Sequence, residues 1–183
     1  MLVNCVRNTI AAFFIAGSMV MSATAQDPAK PVAGWVERAT LFPQGVIVNA
    51  KLDTGAEISS INAAGRKFFT RDGKRWVQFP LTSHNSERTV TIERPVVRVV
   101  EIKRFFGLHQ DRSVIELELC VGSVRKTVEV SLVDRTGLDY QLLVGRNFLG
   151  DDLLVSAGST YRLAPNCTNT GTTGDRIKEE RRE

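Results

Sequence analysis

The sequence predicts a mainly β fold, and three observations carry that expectation. Short runs rich in Val, Ile, Thr and aromatic residues recur along the chain. Turn residues, among them Asp-Gly and Gly-Ser pairs, cut these runs at regular intervals. Only Arg146 to Leu149 reads as helix, and it is one turn long. With 183 residues and 43% hydrophobic content, the chain has the size and composition of one globular domain.

The first 25 residues stand apart. Arg7 precedes an apolar run from Ile10 to Met21, and Ala23-Thr24-Ala25 supplies the small residues that signal peptidase requires, so residues 1–25 read as a cleaved secretory signal. The run is shorter than the ~20 apolar residues that span a bilayer, so no stable membrane span is expected after cleavage. A periplasmic or secreted protein follows from this reading. Cys5 leaves with the signal, and Cys120 and Cys167 remain. In an oxidising compartment these two either pair, closing a loop worth about 4 kcal/mol in the chain-entropy model, or stay separate, Cys120 in a strand and Cys167 near the tail.

Residues 26–33 form a Pro-containing leader, 34–165 the expected domain and 166–183 a polar, then charged, tail too poor in apolar residues to order itself. Within the domain, Trp35 to Leu41 and Val46 to Leu52 flank Phe42-Pro43-Gln44-Gly45 as a hairpin. Phe68 to Thr70 and Arg75 to Leu81 flank Arg71-Asp72-Gly73-Lys74, where Asp-Gly favours a tight primed turn. Val90 to Ile102 reads as one long strand with a bulge or edge position at Pro95. Val114 to Val121 and Val124 to Val133 flank Gly122-Ser123, with Ile115, Leu117 and Leu119 alternating against Glu116, Glu118 and Cys120. Leu142 to Val144 is a short buried run leading into the helix.

The charge excess is +4, from 24 Lys+Arg against 20 Asp+Glu. It reads as spread along the chain, without a basic block apart from Lys178 to Arg182, so no nucleic-acid partner is expected. The histidines, His84 and His109, sit in separate polar segments with no His-Glu-x-x-His, and no Gly-x-x-x-x-Gly-Lys-Ser/Thr loop is present. Neither a metal nor a nucleotide cofactor is expected.

The strongest chemical signal is Lys51-Leu52-Asp53-Thr54-Gly55-Ala56-Glu57-Ile58-Ser59. A strand runs into Asp-Thr-Gly, the chain turns, and a strand resumes at Ile58, so one carboxylate stands at a loop tip. Downstream, Leu142-Leu143-Val144-Gly145-Arg146 places apolar residues before Gly-Arg at the helix start.

Together these elements resemble the aspartic peptidases of the retropepsin type, in which an Asp-Thr/Ser-Gly-Ala loop is supported by an apolar-apolar-Gly-Arg element. Closer still is a bacterial retropepsin-like family commonly labelled "ATP-dependent zinc protease", which shares Gly34-Trp35, the Asp53 loop, Arg71-Asp72-Gly73-Lys74-Arg75-Trp76-Val77, Arg94-Pro95-Val96-Val97 and Leu142 to Arg146. The sequence bears out neither the ATP nor the zinc of that label.

The resemblance implies a single-lobe acid-protease β-barrel with one short C-terminal helix, acting as an aspartic endopeptidase on protein or peptide substrates. Such chemistry needs two carboxylates on one water. Asp134 and Asp139 lack the Thr-Gly that builds the loop, so the resemblance implies a homodimer with one Asp53 from each copy. It makes Asp53, Thr54 and Gly55 catalytic, places Ala56 and Glu57 against substrate, and gives Ser59, Gly145 and Arg146 supporting roles, with Glu57 and Arg146 as a pair. Glu57 departs from the bacterial family, which more often has a basic residue there. By position, a flap spans Glu101 to Ser113 with Phe105, Phe106 and Gly107 near its tip; the same Phe pair also fits an ordinary strand. A different class remains open, a retropepsin-fold module that binds an extended peptide without cutting it.

Overall fold

The computed structural model describes residues 29–167 except 85, 87 and 104–108, and describes no side chain for 103 or 109. Eleven strands and one helical turn are present among them. In chain order the elements are β1 (Val32–Phe42), β2 (Val46–Leu52), β3 (Ser59–Asn62), β4 (Lys67–Arg71), β5 (Lys74–Thr82), β6 (Thr89–Pro95) and β7 (Arg98–Lys103). They continue with β8 (His109–Val121), β9 (Val124–Val133), β10 (Leu142–Val144), α1 (Arg146–Leu149) and β11 (Leu154–Thr160).

Strand β2 shows how the pattern makes the barrel. Val46, Val48, Ala50 and Leu52 are buried while the residues between them are half-buried, the period-two signature of a strand with one face on a core. Six strands close on themselves in the order β1-β2-β10-β3-β9-β8, with β8 returning to β1 through Ala39↔Val121 to Phe42↔Glu118. Closure removes the unpaired edges that invite aggregation. The first half of β1 pairs in parallel with β11, and the first half of β8 pairs with β7. Inside the barrel, Leu41, Val48, Ile61, Leu117, Leu142 and Phe148 form part of one contiguous core. Each such side chain contributes roughly 1.5–3 kcal/mol by leaving water.

A separate three-stranded sheet, β4-β5-β6, packs onto this core through Val77, Phe79, Leu81 and Ile92. Its β4–β5 turn has Asp72 and Gly73 both at positive φ, 51° and 71°, as a primed Asp-Gly turn requires. The expected single strand from Val90 to Ile102 is two. β6 ends at Pro95, whose ring carries no N–H for a ladder. Val96 N–H then bonds Arg75 O at 2.8 Å, and Val97 N–H bonds Val114 O at 2.9 Å, so the chain leaves one sheet for the other within two residues.

β1 begins at Val32, inside the 26–33 leader, and Asn166 and Cys167, placed in the tail by sequence, are tied down. A strap of residues 161–167 follows β11. The buried Glu37 carboxylate accepts backbone N–H bonds from Gly34 at 2.6 Å, Arg162 at 2.8 Å and Leu163 at 3.2 Å. Asn166 N–H bonds Gly122 O at 2.8 Å, and a disulfide joins Cys167 to Cys120 with the Cα atoms 6.2 Å apart. Gly34 permits the close approach of β11, since a Cβ there would lie 2.6 Å from Ser159 O. His109, read as a loop residue, opens β8. Among the described residues no helix is long and apolar enough to cross a membrane.

Candidate active site

Asp53 leaves the barrel at the end of β2. Parallel pairing aligns Leu52 with Val144 of β10, and Asp53 N–H then bonds Val144 O at 2.8 Å, so the loop starts from a fixed point. The loop folds on its own carboxylate. Gly55 N–H donates to Asp53 Oδ1 at 2.9 Å and Ala56 N–H to Asp53 O at 3.3 Å. Asp53 is half-buried, while Thr54, Gly55 and Glu57 are exposed and Ala56 is half-buried.

The Gly145-Arg146 element braces this loop through backbone contacts. A methyl on Gly145 would stand 2.9 Å from the carbonyl carbon of Ile58 and 3.0 Å from Ala56 O, so only glycine lets α1 begin against the loop. Arg146 N–H donates to Ala56 O at 2.8 Å and Asn147 N–H to Glu57 O at 3.0 Å. The Arg146 guanidinium donates from Nη1 to Thr54 O at 3.0 Å and Gly55 O at 2.8 Å. The expected pairing of Glu57 with Arg146 is therefore replaced by a grip on two loop carbonyls, and among the described residues no ion pair joins those two side chains. The Glu57 charge is felt instead at Arg98, whose pKa is raised first by its hydrogen bond to Glu129 and least by Glu57.

Ser59 sits at the centre of the support. Its buried hydroxyl accepts Gly145 N–H at 3.0 Å and donates to Asn147 Oδ1 at 2.8 Å, and Asn147 Oδ1 also accepts Ser59 N–H at 3.1 Å. Asn147 Nδ2 reaches Glu129 O at 2.7 Å, linking the helix to β9. Sequence reasoning did not single out Asn147; its signal was an amide residue two places after the Gly that opens the helix.

Arg135 was also missed. Its Nε donates to Tyr140 O at 2.8 Å, its Nη1 to Ser60 Oγ at 3.3 Å, and its backbone N–H to Asn62 Oδ1 at 2.9 Å. It thus ties the segment before β10 to β3, and burial lowers its pKa. Trp35 of β1 meets Tyr140 edge-on at 5.9 Å between ring centroids. Asp134, weighed as a second carboxylate, is used by its own turn: Thr136 hydrogen bonds from hydroxyl and amide hold its carboxyl below the usual range.

The expected flap falls partly outside the described residues, since Phe105, Phe106 and Gly107 lie within 104–108. Its flanks are a hairpin: β7 and β8 pair antiparallel from Arg98↔Val114 to Lys103↔His109.

Known proteins share the fold and align over much of the sequence. A Legionella pneumophila protein of unknown function has a similar fold, with a TM-score of 0.62 and 28% identity, over 73% of this chain and 98% of that one. Curated relatives named probable alpha-L-glutamate ligase match at 31% identity, over 71% of this chain in Desulfotalea psychrophila and 63% in Shewanella pealeana. This chain spans 29% and 26% of their respective lengths. A family model described as the retropepsin-like aspartic endopeptidase RimB matches residues 32–165, from the first residue of β1 into the strap, and on that match the chain belongs to the RimB-like family.

Proposed function

We propose that the protein is an aspartic endopeptidase that cuts peptide bonds as a homodimer, using one Asp53 from each copy. The observation that carries the reading is a rigid loop offering a single carboxylate. Asp53 is fixed by Val144 and Gly55, while Thr54 and Gly55 stand exposed beyond it with their carbonyls held by Arg146. Such a loop is half of a two-carboxylate site, and the second half is Asp53 of the partner subunit.

In that arrangement two like charges about 3 Å apart cannot both ionise, so the pair holds one proton. The ionised carboxylate removes a proton from water as the oxygen attacks the scissile carbonyl, and the protonated carboxyl donates to the carbonyl oxygen. A tetrahedral diol forms. Collapse breaks the C–N bond as the protonated carboxyl gives its proton to the leaving nitrogen and the other carboxylate takes a proton from a diol hydroxyl, so the dyad again holds one shared proton. Exposed Thr54 is placed to bond across the two loops, and Ala56 and Glu57 lie where an extended substrate runs. β7 and β8, paired antiparallel, would be the arms of the flap, whose tip lies outside the described residues.

The Cys120–Cys167 disulfide supports a reading in which residues 1–25 are a cleaved signal and the enzyme works in an oxidising compartment, the periplasm or the cell exterior. The relatives' names connect the fold to glutamate ligation, which fits a role on glutamyl peptides. A second reading, peptide capture without cleavage, draws on the presence of only one Asp-Thr-Gly loop per chain.

The test is digestion of a diverse peptide mixture from acid to neutral pH by wild type and Asp53→Asn, with EDTA and a pepstatin-type inhibitor as separate arms. Cleavage that needs Asp53 and survives EDTA establishes the mechanism. Peptide binding without cleavage by the folded wild-type dimer establishes the second reading.

A further inference from the structure

The charge of this molecule is concentrated in one hairpin. Residues 66–75 carry Arg66, Lys67, Arg71, Lys74 and Arg75 against Asp72, a net +4 that equals the excess of the whole chain. All five cations are exposed. They lie on β4 and β5 and at their ends, in the three-stranded sheet apart from the Asp53 loop.

The two faces of the hairpin hold these cations differently. Antiparallel register puts Lys67, Phe69 and Arg71 on one face with Lys74 and Trp76. Phe69 and Trp76 stack with centroids 6.3 Å apart, and the Arg71 guanidinium lies over both rings at 5.2 Å and 4.6 Å. Held flat, Arg71 already takes a carboxylate, Glu93 at 2.7 Å. On the other face Arg75 lies 4.2 Å from the Phe68 ring centroid. There Arg66, Phe68 and Arg75 border a cleft of about 320 Å³ whose far wall includes Val99 and Asp111.

β4 is also an edge. The sheet order is β4-β5-β6, so one side of β4 has its backbone groups unmatched by a strand among the described residues. An edge of this kind accepts an added strand, whose side chains alternate between the two faces.

We infer that the outer edge of β4 is a docking surface for an extended acidic polypeptide segment, which adds as a fourth strand and sets alternate carboxylates against Lys67 and Arg71 on one face and Arg66 and Arg75 on the other. Charge complementarity selects an acidic partner. A second copy of the chain would bring +4 against +4. Single-stranded nucleic acid binds by stacking bases on open aromatic faces, whereas here Arg71 lies over both Phe69 and Trp76, which stack on each other, and Arg75 takes one face of the exposed Phe68. This docking does not depend on the Asp53 chemistry.

The experiment uses the full chain carrying Asp53→Asn, so that no probe is cut, and a fluorescein-labelled ten-residue oligo-α-L-glutamate. Binding is expected to weaken with salt, and Lys67→Glu/Arg71→Glu/Lys74→Glu is expected to weaken it by at least tenfold, with Lys30→Glu close to unchanged. Arg66→Gln/Arg75→Gln, which leaves the stacked face intact, serves if the triple variant melts early, and is expected to weaken binding severalfold. Amide exchange in β4 should slow when the peptide binds. Unchanged affinity in folded charge variants, absence of β4 protection, or equal binding of a single-stranded oligo-U of the same charge would overturn the inference.

Discussion

Asn147 ties three segments together: its side-chain Oδ1 faces Ser59, its Nδ2 faces Glu129 O, and its backbone N–H meets Glu57 O. Removing either end of the Ser59–Asn147 bond leaves polar groups without partners in a buried setting, which costs about 1–3 kcal/mol each. Ser59→Ala should therefore lower stability by about that amount and strip Gly145 N–H of its acceptor, read as a drop in the urea midpoint at unchanged m. Gly145→Ala should be worse, because its methyl would meet the backbone of residues 56–58 and push α1 from the loop. Arg146→Lys keeps the charge and loses the planar group that spans Thr54 O and Gly55 O. Its expected signature is a fall in kcat with little change in melting temperature, since the guanidinium is exposed and its task is to hold the loop carbonyls.

At the scale of elements, alternation and turn chemistry made β2, β9 and β10 legible to the residue, because each buries one face and ends at a strong breaker. β11 was not legible: Ser156, Gly158, Ser159 and Thr160 have no apolar period, and the strand exists because β1 offers an edge beside Gly34. The split at Val96 was hidden for a related reason, since both halves alternate and only tertiary pairing separates them. The Asp53 loop was readable from local spacing, whereas Arg135 was not, its partners Ser60 and Asn62 lying more than seventy positions away. The charge focus on the β4–β5 hairpin escaped as well, because Phe68, Phe69 and Thr70 interrupt the cations in sequence. The strap gives an element-scale prediction. Its disulfide closes a separation of 47 residues, so Cys120→Ser/Cys167→Ser should lose about 4 kcal/mol if the unfolded-chain model holds, measured by denaturant titration with and without reductant. β9 gives another. Glu129 takes Nε of Arg98 at 3.0 Å, and that hydrogen bond holds its carboxyl below the usual 4.5 against the opposing effect of partial burial. A lowered folded pKa means the pair's contribution is present above the ordinary glutamate value and is lost as pH falls through the folded one. A carboxyl NMR titration should show Glu129 moving below 4.5 in wild type and returning towards it in Arg98→Gln.

For the whole molecule, a closed barrel supplies rigidity and the termini of its strands supply the site. β2 presents Asp53, and β10 and α1 brace its loop. The sequence holds a single Asp-Thr-Gly loop, and Asp134 is engaged with Thr136. The central claim is thus that the active unit is two chains, and subunit mixing tests it most directly. Wild type and Asp53→Asn are unfolded together in equal amounts, refolded, and assayed for peptide cleavage at fixed total protein. If each site needs an intact Asp53 from both copies, random pairing leaves about a quarter of the wild-type rate. A rate near one half would mean that a single chain carries a complete site, and would contradict the two-chain account.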